Sequence, residues 1–88
     1  MGKRHHKKIE PPHFFYVNGG KVIKNLKEFA FMIEKLSEEE YRHHVTPQRN
    51  DFSSWIRDVI GDAKLAMEIS NANDKRDVQI AVLKRLVR

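Results

Sequence analysis

The apolar positions of this chain fall into short blocks, each with its own period. Phe14-Phe15-Tyr16-Val17 is aromatic and β-branched, the composition of a strand, and Lys21-Val22-Ile23 follows after Asn18-Gly19-Gly20. Asn-Gly between two such runs predicts a β-hairpin, because both central residues of a type I′ turn need positive φ. A lone two-stranded hairpin is marginal in water, so this one must lean on helices.

The period then lengthens. Leu26, Phe29, Ala30, Ile33 and Leu36 recur at helical spacing, with Asn25 as N-cap and Glu28 reaching back to close a capping box. Ser37-Glu38-Glu39-Glu40 is a second capping box and predicts a short helix through Tyr41 to His44. Thr46-Pro47 marks a break, since proline restricts the residue before it. Asn50 or Asp51 caps the next helix, whose stripe is Phe52, Trp55, Ile56, Val59 and Ile60, and Gly61 stops it. Asp62 caps a helix carrying Leu65, Ala66 and Ile69. Asp74 caps the last one, on which Val78, Ala81, Val82 and Leu86 line one face and Ile80, Leu83 and Val87 broaden it. The expected fold is mostly α (α+β): an N-terminal β-hairpin packed on a cluster of about five short helices, with Trp55 in the core. Residues 1–12, ending in Pro11-Pro12, read as a flexible basic arm, and residues 13–88 as one small helical domain.

Composition agrees with this pattern and narrows the chemistry. The 88 residues are 40% hydrophobic and 33% charged, which suits one small globular domain. The chain has no cysteine, which removes disulfides, thiolate metal sites and cysteine nucleophiles. No apolar run approaches the roughly 18–20 residues of a membrane span. The basic N-terminus has no apolar segment behind it to make a secretory signal, so the protein reads as cytoplasmic.

The net charge is +5, and its distribution matters more than its sum. Lys3, Arg4, Lys7 and Lys8 make residues 1–8 basic without an acid. The middle is mildly acidic. The last helix is basic again, through Lys75, Arg76, Lys84, Arg85 and Arg88 against Asp77.

Candidate catalytic groups are sparse. His43 and His44 are adjacent, so on a helix they point about 100° apart and do not form a two-ligand metal site. Ser53 and Ser54 lack a nucleophile-elbow context. Asp58 and Asp62 share a helix face, but Asp62 has a simpler role as a cap. Gly19-Gly20 is not followed by a phosphate-binding signature. The chain is therefore expected to be no enzyme and to hold no cofactor or metal.

The run His43-His44-Val45, Asn50-Asp51-Phe52-Ser53-Ser54-Trp55-Ile56-Arg57-Asp58-Val59-Ile60-Gly61-Asp62 and Leu65-Ala66 follows a segment Asn18-Gly19-Gly20 through Asn25-Leu26-Lys27-Glu28-Phe29. Together they resemble a small archaeal and bacterial domain family of unknown function, over most of the chain. The resemblance carries no established chemistry and transfers no catalytic residue; it implies an accessory module.

Five residues of that pattern have no evident structural role in the sequence: His43, His44, Asn50, Arg57 and Asp58. They are the candidate partner-binding residues of a non-enzymatic protein-interaction module that binds another protein or itself. The rival account is that they only knit the corner between two helices, with His43 or His44 bonding the loop around Asn50. The alternative function is nucleic-acid binding, through Lys3, Arg4, Lys7 and Lys8 of the arm and Lys84, Arg85 and Arg88 of the last helix.

Overall fold

The computed structural model describes residues 8–87. After a single 3-10 turn, Pro11–His13, the chain forms β1 (Phe15–Tyr16) and β2 (Val22–Ile23). Then come α1 (Leu26–Lys35), α2 (Glu38–His44), β3 (Val45–Thr46), β4 (Arg49–Asn50), α3 (Asp51–Trp55), a π-helical segment (Ile56–Ile60), α4 (Ala63–Ser70) and α5 (Lys75–Leu86). Helices dominate, and the N-terminal hairpin packs on them, as the periodicity predicts.

The helix starts are set by local hydrogen bonds that the sequence encodes. Asn25, Asn50, Asp62 and Asp74 each accept from the backbone N–H three residues ahead. Ser37 and Glu40 form a complete capping box. Glu28 reaches one residue further back than a capping box would: it accepts from Lys24 N, not from Asn25.

Three local expectations are corrected. The first hairpin does not turn through a two-residue type I′ loop. Val17 N–H donates to Lys21 O at 2.8 Å, which leaves a three-residue loop, and the positive φ values fall at Gly19 (108°) and Gly20 (113°), not at Asn18. Thr46-Pro47 is not a simple break but the start of a second antiparallel hairpin, with Val45 opposite Asn50 and Thr46 opposite Arg49. The helix from Asp51 to Ile60 is not α throughout. Its second half widens to π before Gly61 (φ 85°) ends it, with Gly61 N–H bonded to Ile56 O five residues back.

The core is built around Phe52, which no solvent reaches. Phe15, Phe29 and Tyr41 stack on its ring with centroids 4.6, 5.4 and 5.9 Å away. Trp55 stands edge-on to Phe15 and Phe29, is buried, and donates Nε1–H to His13 O at 2.8 Å. Ile9 packs against the same core, and Tyr16 donates its hydroxyl to Pro11 O. Ile9 and Pro11 are therefore tied to the domain by packing and by a hydrogen bond.

α5 closes the other side and runs antiparallel to α1. Lys75 Nζ donates to Leu36 O, and one turn on Gln79 Nε2 donates to Ala30 O and Glu34 Oε1, each at 2.8 Å. Val78 and Val82 are buried beneath it. Ile80, Leu83 and Val87, expected to broaden the core face, instead point to solvent.

Candidate functional site

The corner under the first hairpin brings together three of the five candidate residues. α2 ends there at His44, the second hairpin turns, and Asn50 starts α3. The ring of His44 is wedged between Phe15 and Phe52, with centroids 4.9 and 5.5 Å away, and is buried. Both of its nitrogens are engaged. Asn18 N–H donates to Nε2 at 3.0 Å, and Nδ1 lies 3.0 Å from Asp51 Oδ2. Nε2 can accept only if it is bare, so the proton of the neutral ring sits on Nδ1 and points at the carboxylate. A His–Asp pair of this kind orients a general base when Nε2 faces a substrate. Here Nε2 faces a backbone donor inside the fold.

The rest of the corner is closed in the same way. Asp51 Oδ1 also forms an ion pair with Arg49, whose Nε lies 3.0 Å away, and Arg49 Nη2 donates to the His43 carbonyl. Asn50 caps α3 through Oδ1, and its amide reaches Ile69 O at 3.5 Å. Ser53, in the first turn, donates to Ala66 O at 2.7 Å. The reading of His44 and Asn50 as residues without a structural role is thus corrected: both are hydrogen-bonded members of the scaffold. The ring of His43 remains exposed, edge-on to His44.

The same face of α2 holds the turn of the first hairpin. Glu40, one helical turn before His44, accepts from Lys21 Nζ at 3.0 and 3.2 Å and from Ser37 N–H at 2.8 Å. The backbone hydrogen bond from Ser37, followed by that from Lys21, holds its carboxyl below the usual value of 4.5. A Cβ on Gly19 would sit 3.1 Å from Glu40 Oε2, so glycine at this position lets the turn approach the carboxylate.

Arg57 and Asp58 lie elsewhere, on the π segment, where they pair with each other at 3.1 Å. Asp58 lines a shallow depression with Lys8, Ile9, Glu10 and His13. Among the described residues no three His, Asp or Glu side chains gather to hold a metal ion, and no helix is long and apolar enough to cross a membrane.

Lys3, Arg4, Lys7 and Arg88 lie outside the described residues. Lys8 and Lys84 are exposed, but Arg85 is turned inward. Its Nε lies 2.8 Å from Asp62 Oδ2, with the N–H pointing off the line of contact, and its buried Nη2 has no acceptor.

The surface that sequence reasoning missed is apolar. Ile80 is 42% exposed, Leu83 41% and Val87 81%, spaced three and four residues apart along the outer face of α5 and its C-cap. On the antiparallel α1, Phe31 is 58% exposed. The signal was present in the sequence: the apolar positions of α5 cover more of its circumference than a single core contact requires.

Set against family models, curated proteins and solved structures, the chain finds no match.

Proposed function

We propose that the protein is a non-enzymatic interaction module whose contact surface is the outer face of the α1–α5 pair. One observation carries the reading: Ile80 and Leu83 on α5 and Val87 at its C-cap stand at a spacing that makes them a stripe, not scattered residues, and all three are exposed. Single exposed apolar residues are ordinary on any protein; an aligned set marks a surface meant to be covered. The engagement of both His44 nitrogens inside the fold supports the non-enzymatic half of the proposal.

Site-specific photocrosslinking in the source cells tests it. A benzophenone side chain at Leu83 is expected to trap one discrete adduct. The same group at Glu39, exposed on α2, is expected to trap none. A clean chain from both positions, or the same smear from both, contradicts the proposal.

A further inference from the structure

We infer that Asn18 is a modification site: its side-chain amide is displaced by the Gly19 backbone, leaving aspartate and isoaspartate in the turn of the first hairpin. The inference is independent of the interaction reading above. The chemistry needs no co-reactant but water. The Gly19 backbone nitrogen attacks Asn18 Cγ. The new N–Cγ bond forms, the Cγ–Nδ2 bond breaks, and ammonia leaves with the proton that Gly19 gives up. Water then opens the resulting succinimide ring at one of its two carbonyls. Cleavage at Cγ leaves aspartate. Cleavage at the main-chain carbonyl leaves isoaspartate, whose backbone runs through Cβ and Cγ. Asparagine is thermolabile for this reason.

Three observations place the reaction at this turn. Asn18 and Gly19 are both exposed. Among the described residues neither the Asn18 carboxamide nor the Gly19 N–H is in a hydrogen bond, while the amides on either side are held, Asn18 N–H by His44 Nε2 and Gly20 N–H by Val17 O, each at 3.0 Å. The attacking nitrogen has no neighbouring side chain to shield it and cannot gain one: φ of Gly19 is 108°, and a Cβ there would lie 3.1 Å from Glu40 Oε2. The fold that requires glycine after Asn18 thus keeps that nitrogen bare.

The other four asparagines lack this combination. The side chains of Asn25 and Asn50 cap helices, accepting from Glu28 N–H and Ser53 N–H. After Asn71, the Ala72 N–H is bonded to Ile69 O. After Asn73 comes Asp74, whose side chain crowds the nitrogen.

Isoaspartate adds one carbon to the main chain at residue 18. The turn is pinned on both sides of that carbon, at Asn18 N–H before it and Gly20 N–H after it. The new carboxylate also enters a turn that already faces the carboxylate of Glu40. The isoaspartyl chain therefore gives up the bond from Asn18 to His44, a tie between the hairpin and α2.

The test ages the full, folded chain at mildly alkaline pH and physiological temperature, then maps it by proteolysis and mass spectrometry. A protein isoaspartyl methyltransferase with a labelled methyl donor detects isoaspartate. Asn18 is expected to be converted while Asn25, Asn50, Asn71 and Asn73 remain amides. Asn18→Gln is expected to take up no methyl label, because its longer side chain closes the ring far more slowly; an unchanged melting temperature shows that its fold is intact. In NMR spectra of the purified isoaspartyl form, the ring signals of His44 are expected to shift. Conversion at Asn73 or Asn71 as fast as at Asn18, or conversion of Asn18 only after the chain is unfolded in urea, overturns the site. Ring signals of His44 identical in the isoaspartyl and unmodified forms overturn its link to α2.

Discussion

In the corner under the first hairpin, polar side chains turn inward; on the outer face of α1 and α5, apolar side chains turn outward. The corner is held by His44, Asp51, Asn50 and Arg49, whose donors and acceptors meet one another or the backbone. The outer face leaves Phe31, Ile80, Leu83 and Val87 exposed, Ile80 and Leu83 in part and Val87 almost wholly. Polarity alone thus does not tell a buried side chain from an exposed one in a small domain. A buried polar group must be satisfied, and here a loop, a helix end and a hairpin turn satisfy it together. An apolar side chain is under no such obligation, so a short helix can carry more of them than the core absorbs.

The contrast breaks most visibly at its reference point, the core. Trp55→Ala or Phe52→Ala is expected to cost about 3–5 kcal/mol. That is comparable with the whole stability of a small domain, about 5 kcal/mol, so cooperative denaturant unfolding should be lost. A sharp transition retained in either variant contradicts the aromatic core.

His44→Leu comes next. It keeps an apolar shape against Phe15 and Phe52 but strands Asn18 N–H and removes a partner of Asp51. The two hydrogen bonds lost are part-buried, and each contributes about 0.5–1.5 kcal/mol. Asn50→Ala removes the cap of α3 and is expected to cost about 1 kcal/mol in urea unfolding. If either variant unfolds like the wild type, the corner is not part of the scaffold.

Glu40 sharpens the comparison through pH. Its folded pKa is depressed, so its contribution is fully present above the ordinary value of 4.5 and is lost as pH falls through the folded pKa. Stability should therefore rise with pH across that acid window, and Glu40→Gln should flatten the rise. An acid profile identical in both proteins removes the link between α2 and the hairpin turn. The smallest effect belongs to the outer face: Leu83→Gln is expected to change stability by no more than about 0.5 kcal/mol.

What the sequence discloses and what it hides follow from distance along the chain. Caps are bonds across three residues, so Asn25, Ser37, Asp62 and Asp74 are legible as letters, as is the left-handed stop at Gly61. The bond between Asn18 and His44 spans 26 residues and exists only after the hairpin docks on α2. For that reason His44 looks free in the sequence and is not. The second hairpin hides because Pro47 reads as an interruption whichever way the chain turns next. The π segment hides because its widened hydrogen bonds leave the apolar spacing of Phe52, Trp55 and Ile56 unchanged. On α5, Val78 and Val82 against Ile80 and Leu83 cannot be sorted by hydrophobicity; only the antiparallel seat on α1, fixed by Lys75 and Gln79, decides which pair is covered.

The most direct test sets two calorimetric melts side by side, His44→Leu and Leu83→Gln. For a domain of this size each kcal/mol moves the melting temperature by about 4–8 °C. The polar residue of the corner is predicted to lower it by at least that much, and the apolar residue of the outer face to leave it within about 4 °C of wild type. The reverse order, Leu83→Gln melting far below His44→Leu, would show that the outer stripe belongs to the core and the corner to the surface.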